Sequence, residues 1–368
     1  MRLRDLRLTN YRNCKDVKLD FDFDKILIIG KNAQGKTNIL ESIYFLSALK
    51  TPRTSNNIEL INFDSQKAEI NCNLLKSNTD IELDFTYSKE KKRELAINKV
   101  KTTPKNFKSV LKTVLFSTQD LMLLRGNPSD RRDWLDRAIS QIYPAYDERL
   151  SKYDKIRIQK NNLLKEYLKT GNLNEQLLDV YNEQLLITGS NIIYLRIKFL
   201  KEIENIAFEK HRKISDSETL TIKYNCDFLD NESELENIVN AFKISLEEKR
   251  QEEKRRGQSC VGPHRDDITF CINNNDASKF ASQGQQRTVV LALKLSELDI
   301  ITQKLGEEPV LLLDDVLAEL DDVRQNYLLK SISSNIQTII TSVDTILFEE
   351  NFLKDVKIYK IENGMILN

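Results

Sequence analysis

Glycine and proline are scarce in this chain: ten and six among 368 residues, about 4% against roughly 12% in average usage. That excludes a Gly/Pro-rich fibrous or disordered protein. Histidine is nearly absent, with only His211 and His264, and the five cysteines (Cys14, Cys72, Cys226, Cys260, Cys271) form no CxxC pair. Ligands clustered as in a zinc finger or ribbon are therefore lacking. An odd number of scattered thiols fits a reducing compartment better than a disulfide framework. No apolar run approaches the ~20 residues that span a bilayer. The N-terminus, Met1-Arg-Leu-Arg-Asp-Leu-Arg-Leu8, lacks the apolar centre of a signal peptide. The expectation is a soluble, cytoplasmic protein with no membrane partner.

Net charge is missing too, 56 basic side chains balancing 56 acidic ones. A zero balance argues against nucleic acid as a partner, because a phosphate backbone attracts excess Lys and Arg. The distribution reverses that argument. Lys89 to Lys112 holds nine basic and two acidic residues, a local +7, while Glu307 to Asp322 holds seven acidic residues and no basic one. Arg149 to Lys165 adds six basic residues against Asp154. A lysine run is commonly just a solvated face. Two such runs flanking one fold make a phosphate-backbone surface the stronger expectation, with Lys91, Lys92, Arg93, Lys99, Lys101 and Lys105 as candidate DNA contacts. Phe107 and Tyr153 are the few aromatics interleaved there. Contacts should then be to the backbone rather than stacked bases.

The first hundred residues alternate with period two. Leu19, Phe21 and Phe23 face one way, and the sets Ile70, Cys72, Leu74 and Ile81, Leu83, Phe85, Tyr87 repeat the pattern of half-buried antiparallel strands. Ile26-Leu-Ile-Ile29 is a short continuous apolar run, as in a strand covered on both faces. From about Asp133 the spacing turns helical: Leu150, Tyr153, Ile156, Leu163, Leu164 and Tyr167, then Leu178, Tyr181, Leu185, Ile192, Leu195 and Phe199. Strand-and-helix texture returns after Lys254-Arg-Arg-Gly257. The expected organisation is an α/β body of mixed sheet and antiparallel β lobe in two halves, 1–132 and 258–368, interrupted by an inserted helical arm, 133–257.

Gly30-Lys31-Asn32-Ala33-Gln34-Gly35-Lys36-Thr37 fits G-x-x-x-x-G-K-[ST]. Its glycines let successive N–H groups curl around phosphate oxygens, Lys36 would reach the β- and γ-phosphates, and the Thr37 hydroxyl would ligate Mg²⁺. The buried-type strand Ile26–Ile29 precedes it and a helical stretch follows, which is the context such a loop needs to bind ATP. Pro309-Val-Leu-Leu-Leu-Asp314-Asp315 reads as an apolar strand ending in carboxylates. Asp314 suits the metal, and Asp315, one methylene shorter than glutamate, is the candidate to polarise an attacking water. Lys36 and Asp314 lie 278 residues apart, so a split fold must bring them together.

Ser282-Gln283-Gly284-Gln285-Gln286 precedes a helix with apolar Val289, Val290, Leu291 and Leu293. By itself this is a well-capped helix, and Ser282, Gly284 and Gln285 would serve equally as a phosphate-binding helix start. Set 32 residues before Asp314, it resembles the signature of ABC-type ATPases, which implies ATP sandwiched in a head-to-tail homodimer. Gln119 either senses Mg²⁺ and γ-phosphate or merely caps the following turn.

Taken with Ser129-Asp-Arg-Arg132, Gly262-Pro-His-Arg-Asp-Asp267 and Glu319-Leu-Asp321, these stretches resemble the bacterial RecF family, whose head is of ABC/SMC type. The resemblance covers nearly the whole chain. It implies a slow, DNA-stimulated ATPase that dimerises on ATP and binds single-stranded and gapped or junction DNA. It further implies work with RecR and RecO to help load RecA, in repair, replication restart and the SOS response. Two departures stand out: Phe116-Ser-Thr-Gln119-Asp120 replaces the expected Pro and Glu, and Thr341-Ser342 follow strand Ile336–Ile340 with no histidine. Slow hydrolysis is expected from Asp315 and from that missing histidine. The ATPase subunit of an ABC transporter remains an alternative, although the 246 residues between Lys36 and Ser282 are unusual for one. A long-armed SMC clamp would need a far longer insertion.

Overall fold

The computed structural model describes residues 1–367 except 52, 55, 91, 216, 230–233, 333 and 334. The chain forms two compact units, Met1–Asp120 with Leu293–Asn368, and Leu121–Ala292.

The first unit carries two six-stranded sheets. One is antiparallel throughout, in the order Cys14–Asp20, Arg2–Tyr11, Lys67–Lys76, Thr79–Ser88, Lys92–Ile97, Val100–Lys101. Its period-two pattern sends Ile70, Cys72, Leu74, Leu83 and Phe85 inward, where Phe85 meets Phe45 of helix Lys36–Ala48 edge-on at 4.6 Å. Phe23 departs from the expected inward face. The strand ends at Asp20, so the alternation stops there. The Phe23 ring is 43% exposed, with the Lys357 ammonium 5.6 Å from its centroid.

The second sheet runs Met365–Leu367, Val356–Glu362, Lys25–Ile29, Thr338–Ser342, Val310–Asp314, Thr113–Ser117, parallel apart from the first-named strand. Parallel strands are covered on both faces and so run apolar: Ile26, Leu27, Ile28 and Leu311, Leu312, Leu313 are all buried. The register sets Ser342 beside Ile29 and Thr341 beside Asp314. Segments from opposite ends of the chain therefore share one row of carboxyl ends, where ligands of open α/β sheets bind.

The second unit is built on helices Pro128–Ile142, Tyr146–Thr170, Glu175–Arg212 and Leu235–Glu248 and a small antiparallel sheet, Asn275–Asp276, Asp267–Ile272, Leu220–Asn225. The 38-residue helix extends ~57 Å. The units divide at 120 and 292 rather than at 132 and 257. Asp267–Ile272 pairs with Leu220–Asn225 along six residues, and Trp134 meets Phe270 at 5.8 Å. These contacts draw both flanking segments, including the signature stretch, into the helical unit.

Two motifs that look unrelated in sequence meet here. Arg131 grips Asp267 with both arms of its guanidinium, at 2.7 and 2.9 Å, and Arg132 donates to the Asp266 carbonyl at 2.7 Å. Behind them Arg196, 2% exposed, pairs with Asp136 through two 2.9 Å bonds and donates to the Pro263 carbonyl at 2.6 Å. A Cβ on Gly262 (φ 124°) would lie 2.3 Å from the Tyr153 hydroxyl, so only glycine fits that turn.

His264 sits inside this loop, whereas Arg265 is exposed. The His264 Nε2 lies 3.3 Å from the Ser259 carbonyl and must donate to it, which leaves Nδ1 to accept the Tyr153 hydroxyl at 2.7 Å. That neutral tautomer is enforced by burial, with Arg157 adding to it, and the pKa falls from 6.5 to about 3. A group depressed in the folded state takes up protons on unfolding as pH falls below its unfolded value, so stability is lost between pH 6.5 and 3. His264→Gln is expected to lose about 2 kcal/mol less than the wild type between pH 7.5 and 5. Urea midpoints of both proteins across that range check this. Parallel pH profiles would contradict it.

Candidate nucleotide site

The loop between Ile29 and helix Lys36–Ala48 has the shape its sequence predicts. Ala33 (φ 64°) and Gly35 (φ 110°) both adopt left-handed backbone, the geometry that turns consecutive N–H groups toward one anion. Asn32 to Asn38, Arg53 and Asp315 line a cavity of about 250 Å³. The Lys36 ammonium, buried at the cavity floor, donates to the Gly30 and Lys31 carbonyls at 2.8 and 3.4 Å and lies 3.7 Å from Asp315.

The acidic strand arrives beside this loop. Asp314 Oδ1 accepts hydrogen bonds from the Thr37 hydroxyl at 3.0 Å and the Thr341 hydroxyl at 2.9 Å. Burial pushes the Asp314 carboxyl upward, opposed by those two bonds and reinforced by Asp315. Asp315 takes a left-handed conformation (φ 51°) and donates its N–H to Thr341 at 2.9 Å. That bend carries its carboxylate to the cavity wall. Thr341, noted in the sequence only as the place where a histidine is missing, thus holds both acidic residues.

Sequence reasoning missed three further residues. Arg53 lines the cavity and shares the buried Glu41 carboxylate with Arg12, at 2.7 and 2.6 Å. Asn13 accepts from the Asn38 amide at 2.7 Å. No local pattern marks them: Arg53 lies in a polar loop, and Arg12 and Asn13 form the tip of the first hairpin.

The signature stretch lies in the second unit. Ser282 and Gln285 cap each other reciprocally, Ser282 N–H to Gln285 Oε1 at 2.7 Å and Gln285 N–H to Ser282 Oγ at 3.2 Å. Gln285 also donates to Glu218 at 2.7 Å. Gly284 sits in the first turn of helix Gln283–Leu305. Gln119 is exposed on the turn after Thr113–Ser117 and is not among the residues lining the cavity. The cap in that turn is Asp120, which accepts the Ser117 N–H at 2.6 Å.

The basic runs divide. Arg93, Lys99, Lys101 and Lys105 are exposed, with Lys99 and Lys101 3.8 and 3.9 Å from Glu82 and Glu94. Lys92 begins the strand Lys92–Ile97, and Lys91 lies outside the described residues. Lys112 is buried, as is Lys160, whose ammonium lies 2.6 Å from Glu253 Oε2. Neither can reach a ligand. Phe107 and Tyr153 are buried as well, so they offer no stacking surface.

The cavity fits a nucleotide phosphate with Mg²⁺. Among the described residues no trio of His, Cys, Asp or Glu converges, so a cation here would draw on Asp314, the Thr37 hydroxyl and oxygens from the nucleotide and water, as Mg²⁺ does in phosphate-transfer sites. A glycine loop, a buried lysine and an acidic strand end, supplied by opposite ends of the chain and split by a helical unit, define an ATPase head of ABC/SMC type. The chain matches the RecF/RecN/SMC N terminal domain family over residues 2–367. It is 38% identical over 370 residues to the DNA replication and repair protein RecF of Bacillus pumilus, covering all of both chains. A solved structure of the recombination mediator protein RecF with ATP, in the RecFOR pathway, superposes at TM-score 0.91 with 34% identity, over 100% of this chain and 97% of that one. An Smc head bound to the C-winged helix domain of ScpA shares the fold alone, at TM-score 0.56 and 16% identity over 100% and 96%. This chain belongs to the RecF family of DNA replication and repair proteins. The full-length match leaves the transporter alternative without support, and among the described residues no helix is long and apolar enough to cross a membrane.

Proposed function

We propose that this protein is an ATP-switched DNA-binding factor of recombinational repair. The observation that carries the reading is the meeting of Lys36 with Asp315 and of Thr37 with Asp314 at one carboxyl edge. Lys36 binds the terminal phosphates, Thr37 and Asp314 hold Mg²⁺, and Asp315 orients water. The signature residues Ser282, Gly284 and Gln285 close the nucleotide of a second copy, giving an ATP-dependent homodimer. DNA, single-stranded and gapped or junction duplex, is held through phosphates by the exposed lysines and arginines. RecR and RecO are the protein partners and RecA loading the outcome, in the cytoplasm. Hydrolysis is slow, because Asp315 is tied by its backbone to Thr341 and reaches less far than glutamate.

The test is sedimentation with and without ATP and gapped DNA, at 50 and 200 mM salt. ATP should double the sedimenting mass, and DNA affinity should fall on the order of 10³-fold between the two salts if about six phosphates are contacted. A monomer with ATP at saturating concentration, or DNA binding insensitive to salt, contradicts the reading. Rapid turnover without DNA contradicts the slow switch.

A further inference from the structure

The last strands of the chain do more than extend the sheet. Val356–Glu362 pairs with Lys25–Ile29 through five residues, from Val356 opposite Lys25 to Lys360 opposite Ile29. Its continuation then runs beside the phosphate loop. A Cβ on Gly30 would come within 2.5 Å of the Ile361 carbonyl oxygen, and one on Gly35 within 3.3 Å of the Ile361 side chain. At the hairpin turn, Gly364 N–H donates to the Gln34 carbonyl at 2.9 Å and Asn363 N–H to Gln34 Oε1. Gly364 itself (φ 73°) leaves no room for a side chain, because a Cβ would lie 2.2 Å from the Asn13 carbonyl. Farther back the hairpin is anchored by Tyr359, whose hydroxyl donates to the Asp20 carbonyl at 2.7 Å and accepts its N–H at 3.2 Å.

These contacts fall on the loop's working peptide. In a planar trans peptide the C=O and the following N–H point in opposite directions. By holding the Gln34 carbonyl, Gly364 turns the Gly35 N–H away from the hairpin. Gln34 and Gly35 both line the cavity. Gly30, usually explained by phosphate approaching the backbone, is here also required by the Ile361 carbonyl.

We infer that the C-terminal hairpin positions the phosphate loop for nucleotide, with Asn363 and Gly364 gripping Gln34 and Ile361 backing Gly30. The inference rests on the loop binding ATP. It makes the end of the chain a determinant of nucleotide affinity, although none of its residues lines the cavity.

Asn363 (φ 50°) separates the geometry from the side chain. Asn363→Gly keeps the N–H and the left-handed backbone, whereas Asn363→Pro removes the donor and forbids that conformation. Calorimetric ATP binding and steady-state ATPase of the full chain, with melting as the fold control, are expected to give a dissociation constant and KM raised about tenfold in Asn363→Pro, with kcat unchanged. Asn363→Gly should stay within twofold of the wild type. A folded Asn363→Pro that binds ATP like the wild type overturns the inference. Should that variant fail to fold, Gln34→Met decides, since it removes the side-chain oxygen that Asn363 grips and leaves the Gly364 bond to the Gln34 carbonyl and the hairpin intact. A several-fold weaker dissociation constant supports the inference and wild-type affinity overturns it. Wild-type protein that binds no ATP overturns this inference together with the proposed function, whereas tight wild-type binding with indifferent variants overturns this inference alone.

Discussion

Lys36→Met is expected to weaken ATP binding by 10²–10³-fold while leaving the fold in place. The ammonium is buried against the Gly30 and Lys31 carbonyls, and a unit charge some 4 Å from a phosphate oxygen interacts by about 4 kcal/mol in a partly solvated site. Methionine fills the same space without the charge. Thr37 and Asp314 keep their contact, so the loss is electrostatic and should appear in the dissociation constant for ATP measured by calorimetry. The proposed ATP-driven assembly should vanish with it at ATP concentrations that saturate the wild type. An affinity within threefold of the wild type would mean that the backbone N–H groups alone hold the phosphates.

Arg196→Met is expected to destabilise the helical unit by about 3–5 kcal/mol, the usual cost of removing one partner from a buried ion pair. The guanidinium spans helix Glu175–Arg212, Asp136 and the Pro263 carbonyl, and its loss leaves the Asp136 carboxylate without its ion-pair bonds while the Tyr146 hydroxyl still donates to it at 2.5 Å. Arg196→Met with Asp136→Asn should recover part of that loss, because the stranded charge is gone. Denaturant unfolding of the single and double variants gives the comparison. A single variant within 1 kcal/mol of the wild type would show that the pair contributes little beyond packing.

The phosphate loop, the acidic strand and the strand texture were legible because each is local: glycine spacing, an apolar run ending in carboxylates, period-two alternation. What escaped was partnership at long range. Lys160 reads in the sequence as part of a basic, phosphate-binding face because Glu253 is 93 residues away. Phe23 kept the inward rhythm of its neighbours, yet alternation carries no mark of where a strand stops. Arg131 and Asp267 stood out as separate stretches, and the packing of helix Pro128–Ile142 on strand Asp267–Ile272, Trp134 against Phe270, brings them together. Thr341 was visible as an absence of imidazole, but its two hydrogen bonds to the acidic residues depend on strand order. Pairing of Asp267–Ile272 with Leu220–Asn225, invisible to local pattern, goes with a helical unit that includes the signature stretch, beyond the change of texture near residue 257.

Strand order has a consequence for how the protein is made. Lys25–Ile29 leaves the ribosome long before its two neighbours in the sheet, Thr338–Ser342 and Val356–Glu362. At 5–20 residues per second the wait is roughly 15–60 s. Throughout that interval an apolar strand and the loop after it lack the framework that orders them. An interrupted translation product therefore carries the intact phosphate-loop sequence without a sheet to support it.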